Sequence, residues 1–152
     1  MLIDKTSNNS AFCWRLTNSV DALSPLAEAV ENFGQRQHWD ISTVSQINLA
    51  LEELIINTIS HGFSDGRQGH IEISITADEQ NIFIRITDDG DQFDPFAYTN
   101  DINLSLDLAE RPIGGLGIFL VRRIMDSYSY CYSNQLNQVS LTKRLLPEIN
   151  HD

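Results

Sequence analysis

Glu53, Asn57 and His61 recur every four residues. On a helix of about 3.6 residues per turn they form one polar stripe, each roughly 40° from the last. Their neighbours Leu51, Leu54, Ile55 and Ile59 are apolar, so the stripe edges an otherwise buried helix. A carboxylate and an amide in that position need partners, and either solvent or a ligand can supply them. Asp88 closes the run Ile82-Phe83-Ile84-Arg85-Ile86-Thr87-Asp88. It shares the parity of Ile82, Ile84 and Ile86, which puts a carboxylate at the end of the buried face of a strand. There it can cap a loop, or accept a hydrogen bond from an amino group in a mostly apolar pocket, a role that adenine's exocyclic amino group fits. Gly90 follows and permits a turn. Gly114, Gly115 and Gly117 stand directly ahead of the apolar, helix-compatible Ile118-Phe119-Leu120-Val121. A helix starting behind such a turn aims free N–H groups and the positive end of its dipole into the loop, where an anion such as phosphate fits. A tight helix start without a ligand fits the same residues.

These groups need a scaffold, and the periodicity of the chain outlines one. Ser10 to Thr17 alternates Phe12, Trp14 and Leu16 with smaller or polar residues and predicts a strand. Residues 21–37 predict a helix with Leu23, Leu26, Ala27, Val30 and Phe33 on one side. Asp40 or Ser42 can cap a second helix that runs to about Ser60 and closes at His61-Gly62. Ile71/Ile73/Ile75 and Ile82/Ile84/Ile86 alternate on either side of a turn at 77–81 and predict a hairpin. Residues 94–113 are polar, without firm periodicity, and long for a connection, which marks a functional loop or a disordered one. A third helix over about 117–127 and two strands near 128–133 and 137–145 complete the order. The fold class that follows is α+β, a two-layer sandwich with a mostly antiparallel sheet and helices on one face.

Bulk properties narrow the function. The chain has 152 residues, enough for one domain spanning 1–152 with a real core. Ten basic against 21 acidic residues give a formal charge of −11. That opposes binding to a nucleic-acid backbone or an anionic membrane surface. Cys13 and Cys131 lack metal-site spacing and fit reduced thiols. No apolar run approaches a membrane span and Met1-Leu2-Ile3-Asp4-Lys5 does not begin a signal peptide, so a cytoplasmic protein is expected. The P-loop pattern, the full dinucleotide fingerprint and the protein-kinase motif set are all missing.

Glu53-x-x-x-Asn57, Asp88-x-Gly90 and Gly114-Gly115-x-Gly117, in this order and with a long loop before the last, resemble the three nucleotide boxes of the GHKL ATPases, the superfamily of gyrase, MutL and the histidine kinases. The chain is most similar to the small bacterial branch of anti-sigma-factor serine kinases. Asp88-Asp89-Gly90-Asp91-Gln92-Phe93-Asp94-Pro95, Glu110-Arg111-Pro112-Ile113-Gly114-Gly115-Leu116-Gly117, Asp126 and Val139-Ser140-Leu141-Thr142-Lys143 carry that likeness, which covers about residues 10–146. Two departures stand out. Gln92 replaces a second glycine common in the Asp-box, and the final strands carry Ser and Gln where relatives often have Thr and Asn-Arg.

The resemblance implies a Bergerat-type ATP site. Asn57 would hold Mg²⁺ through its side-chain oxygen, and Glu53 would be the general base. Asp88 would bind the adenine amino group, with Ser140 supplying a hydroxyl near that contact. Gly90, Gly114, Gly115, Leu116 and Gly117 would shape the pocket and the phosphate loop. Arg111 would reach the terminal phosphate, and a lid would cover about 95–113. His61 is expected to be a helix-end feature. The implied function is ATP-dependent phosphorylation of a STAS-type anti-anti-sigma factor, together with binding and inhibition of an RNA polymerase sigma factor. A non-catalytic ATP-binding module that switches partners is the alternative. The catalytic domain of a histidine kinase is disfavoured, because no phospho-acceptor helix pair precedes the first strand. With Ser140 facing the nucleotide, Val139, Leu141 and Phe83 would form an apolar patch on the other sheet face, favouring a homodimer.

Overall fold

The computed structural model describes residues 11–98 and 115–145. The chain runs β1 (Ala11–Thr17), a 3₁₀ turn (Val20–Ala22), α1 (Leu23–Gln37), α2 (Ile41–His61), β2 (His70–Ala77) and β3 (Asn81–Asp88). It continues with α3 (Pro95–Tyr98), α4 (Gly115–Ile124), β4 (Ser127–Ser133) and β5 (Leu136–Arg144). The five strands form one sheet in the order β1-β2-β3-β5-β4, and each adjacent pair is antiparallel. Buried residues from α1, α2, α4 and one sheet face make a single core, so the architecture is the expected α+β.

Alternation fixes the register. Ile71, Ile73 and Ile75 stand opposite Asp88, Ile86 and Ile84, while Leu141, Val139 and Asn137 stand opposite Ile84, Ile86 and Asp88. A one-residue slip would turn this whole row to solvent, so burial holds the register. Ile82, Ile84 and Ile86 are each buried, worth about 1.5–3 kcal/mol apiece relative to exposure. Asp88 is carried into position by that row.

Several boundaries differ from the sequence pattern. α2 begins after Asp40, whose side chain makes no capping hydrogen bond, and Ser42 lies inside the helix. α4 starts at Gly115 and stops at Ile124, because Ser127 already pairs with Thr142 in the sheet and Asp126 accepts the Arg144 N–H through Oδ2 at 2.6 Å. α3 was not expected from periodicity. Its cause is local: Asp94 Oδ1 accepts the N–H groups of Phe96 (2.9 Å) and Ala97 (3.3 Å), and Pro95 takes the first helical position. Asn134 and Gln135, at φ 55° and 64°, form the primed turn of the β4–β5 hairpin.

The two sheet faces correct the reading of Ser140. Val139 and Leu141 are core residues, so the intervening Ser140 points to the other side, level with Arg85 and Ser129. It therefore lies on the sheet face opposite Asp88. The apolar outer patch falls with it: that face carries Cys13, Arg15, Glu72, Ser74, Arg85, Thr87 and Gln138. Among the described residues its exposed large apolar side chains are Phe83 (41% exposed) and Leu136 (40%), and the rest of the face is polar.

Candidate functional site

α2 buries Ile47, Leu51, Leu54 and Ile55 against the sheet, which leaves Glu53 and Asn57 along its edge, toward α4. Glu53 is half-buried, and its carboxylate lies over the Cα of Gly117 in the first turn of α4. A methyl built on Gly117 would place its carbon 2.6 Å from Glu53 Cδ, overlapping the carboxylate. Only glycine leaves room for this contact. Burial, and secondarily the neighbouring Glu52, push the Glu53 carboxyl above its ordinary range. One turn further along α2, Asn57 is only 8% exposed. Among the described residues no group hydrogen-bonds its side-chain amide. An amide that no described residue pairs with has a donor and an acceptor to offer a ligand. The opening turn of α4, which meets Glu53 at Gly117, carries the N–H groups that a helix start leaves without partners inside the helix. A carboxylate that can take a proton, an amide oxygen and a helix N-terminus thus converge, which suits an anionic ligand with a reacting end.

The far end of α2 meets β3. Gly62 follows the helix, and its carbonyl oxygen accepts the Asp91 N–H at 2.6 Å. Gly90 lies so close that a Cβ there would sit 2.7 Å from the Gly62 oxygen and 3.0 Å from Asp88 Oδ1. Close backbone approach, rather than a left-handed turn, is what requires glycine at 90. His61 stacks on Phe93 with ring centroids 4.7 Å apart, consistent with a helix-end role. Arg67 braces the same corner from outside, donating to Asp65 Oδ1 (2.8 Å), the Asp89 carbonyl (3.3 Å) and Asp91 Oδ1 (3.3 Å).

Asp88 ends β3 at 6% exposure. Its Oδ1 accepts two donors, Gly90 N–H at 2.8 Å and Asn137 Nδ2 at 2.9 Å. Among the described residues Oδ2 accepts none. Burial raises the Asp88 carboxyl, and the bonds from Asn137 and Gly90 pull against that rise. The result is a buried carboxylate with one oxygen engaged and one left for a ligand donor.

Asn137 was missed by the sequence reading. It stands directly across from Asp88 on β5 and also donates to the Asp91 carbonyl (2.9 Å) and the Gly90 carbonyl (3.3 Å). The available signal was parity: Asn137 shares the buried side with Val139 and Leu141, which leaves a polar side chain at a core position. The structure brings Glu53, Asn57, Gly117, Asp88 and Gly90 to one side of the sheet, on its helix-covered face. Gly115 and Leu116 belong to the opening of α4. Ser140 is on the other sheet face. Arg111, Gly114 and residues 99–113 of the expected lid lie outside the described residues.

An antiparallel sheet covered on one face by helices, with an Asp at a strand end, an Asn on a long helix and a glycine-led helix between, defines a histidine kinase-like ATPase domain. The chain belongs to that family, whose model matches residues 16–143. It is 29% identical over 133 residues to the serine/threonine-protein kinase BtrW of Bordetella bronchiseptica, covering 87% of this chain and 89% of that one. It is 25% identical over 114 residues to the serine-protein kinase RsbW of Listeria monocytogenes, covering 73% of each. The fold also matches a structure of the RsbU and RsbW domains of Rv1364c from Mycobacterium tuberculosis, with a TM-score of 0.60 at 13% identity. That match covers 88% of this chain but only 32% of the larger one, so the chain spans about a third of it.

Proposed function

We propose that this chain is an ATP-dependent serine kinase whose substrate is a STAS-type anti-anti-sigma factor and whose second partner is an RNA polymerase sigma factor. The observation that carries the reading is the half-buried Glu53 carboxylate resting on the first turn of α4, one helical turn from the Asn57 amide, with which no described residue pairs. The resemblance implies both the partner classes and the role of Glu53 as base, and the contact of its carboxylate with α4 supports that role. Glu53 takes the proton of a serine Oγ as the Oγ–P bond forms and the bond from phosphorus to the leaving oxygen of ADP breaks. The first-turn N–H groups of α4 steady the phosphates. Asp88 Oδ2 accepts from the adenine amino group. Gly114 and Arg111 extend the phosphate end, with Arg111 on the terminal phosphate. Asn57 fits Mg²⁺ through its side-chain amide oxygen. Among the described residues no group of three His, Cys, Asp or Glu could hold a metal, which suits an ion that keeps waters and phosphate oxygens as ligands. When bound, that ion would screen the phosphate charge during transfer.

The whole chain forms one such domain, acting in the cytoplasm. No described helix is long and apolar enough to cross a membrane. A homodimer, which the resemblance implies, would have to use a largely polar sheet face or another surface. Sedimentation at micromolar concentration decides between dimer and monomer.

Incubating the chain with labelled ATP and the STAS-type protein is expected to give phosphoserine on the latter, and Glu53→Ala is expected to lower the rate by about 10²-fold or more. Because the Glu53 carboxyl is raised, its base form is lost earlier on acidification. The rate should fall through a single protonation whose midpoint lies above the usual glutamate range, and Glu53→Ala should flatten that limb. ATP binding without phosphoserine would leave the partner-switching module as the function. Full activity in Glu53→Ala would remove Glu53 from the mechanism.

A further inference from the structure

We propose that Asn137, held in orientation by Tyr130, is a positioning residue that keeps the Asp88 carboxylate turned toward the ligand and so sharpens selection of a base with an exocyclic amino group over one with a carbonyl. The inference rests on the nucleotide reading above and deepens it.

Asn137 is 3% exposed. Its Nδ2 faces three acceptors, namely Asp88 Oδ1 at 2.9 Å, the Asp91 carbonyl at 2.9 Å and the Gly90 carbonyl at 3.3 Å. Its Oδ1 faces two donors, the Tyr130 hydroxyl at 2.5 Å and the Phe93 N–H at 3.1 Å. Turning the amide over would set its oxygen against three acceptors and its NH₂ against two N–H or O–H groups. The hydrogen-bond chemistry therefore permits one orientation. In that orientation the two amide hydrogens serve the two shorter contacts, to Asp88 Oδ1 and the Asp91 carbonyl, both at 2.9 Å.

Two consequences follow for the carboxylate. Oδ1 is filled by Asn137 and Gly90, which locks the carboxyl rotation and leaves Oδ2, to which no described residue donates, for the ligand. The donated bond also opposes the rise that burial imposes and so favours the accepting form. An ionised Asp88 accepts from an amino group and repels a carbonyl oxygen. A protonated Asp88 can donate, and a carboxylate turned away from the base meets neither group; in both cases a carbonyl base is tolerated. Tyr130 acts at one remove. Its hydroxyl pins Asn137 Oδ1 from the edge strand β4, so the last hairpin controls the carboxyl at the end of β3.

The test measures binding of ATP and of inosine triphosphate, which differs by a carbonyl in place of the amino group, to the full chain. The parent is expected to prefer ATP by at least about tenfold, the discrimination a single charge-assisted hydrogen bond supplies. Asn137→Ala should bring the two affinities to within about threefold of each other, and Tyr130→Phe should narrow the ratio part of the way. If Asn137→Ala fails to fold, Tyr130→Phe decides alone, because it removes one hydroxyl and keeps the packing. An equal loss for both nucleotides with the parent ratio retained would overturn the inference and leave Asn137 a structural residue. A parent that binds neither nucleotide would instead overturn the nucleotide reading itself.

Discussion

Gly117→Ala is expected to lower phosphoryl transfer by about 10²-fold or more while the chain stays folded. Alanine favours helix over glycine by roughly 1 kcal/mol in a helix interior, so the substitution does not harm α4 by propensity. What it adds is a methyl in space that the Glu53 carboxylate occupies. Gly117 belongs to α4 and Glu53 to the core-packed α2, so the cheapest relief is rotation of the Glu53 side chain away from the helix start. The base then leaves the place where a serine hydroxyl would meet the phosphate, and a misplacement of about 1 Å already costs on that scale. The rate with the STAS-type substrate, read beside the thermal midpoint, checks this. A Gly117→Ala chain that transfers phosphate at the parent rate would show that the Glu53 position against α4 is not needed.

The second large effect is at the other end. Asp88→Asn preserves shape, and its amide oxygen still accepts from Gly90 and Asn137. Those two donors force the new NH₂ group into the place of Oδ2, where it confronts the adenine amino group donor to donor. ATP affinity should fall by about 10²-fold, since a charge-assisted bond is lost and an unmatched polar group takes its place. Stability should move the other way or hold. A carboxyl whose folded value is raised takes up protons more readily in the native state than in the unfolded one. Above that raised value the ionised group therefore weakens folding, and below the unfolded value the penalty is absent. At neutral pH a neutral amide removes the penalty, so the unfolding midpoint should be no lower than the parent's. Tight ATP binding by Asp88→Asn, measured calorimetrically, would refute the assigned contact.

Much of the frame was legible because burial writes its period into the chain. Ile71/Ile73/Ile75 and Ile82/Ile84/Ile86 alternate as a half-buried hairpin must, and the same parity put Asp88 on the core side. The four-residue spacing of Glu53 and Asn57 likewise placed both on one face of α2. Other features had no local trace. Apart from Tyr130 in the same hairpin, Asn137 answers to groups 44 to 49 residues away, so no window of sequence displays the whole match. Ser140 was placed by analogy with relatives, whereas the apolar Val139 and Leu141 on either side dictated the opposite face. Gly90 looked like a turn residue, and its actual constraint is the Gly62 carbonyl, which the chain approaches only after folding.

The strand order carries a consequence for timing. β3 pairs on one side with β2, its neighbour in sequence, and on the other with β5, the second strand of the last hairpin. Until that hairpin arrives from the end of the chain, the free edge of β3 has no partner and Asp88 has no Asn137. The site is thus completed by a long-range pairing, between strands far apart in the chain, and such pairings close slowly. A ligand that prefers the finished site would act as a latch on this step. Hydrogen exchange in β5 should then slow when nucleotide is present, while exchange in the β2–β3 hairpin changes less. Equal slowing in both would mean that the sheet closes as one unit, with no separate final step for a ligand to hold.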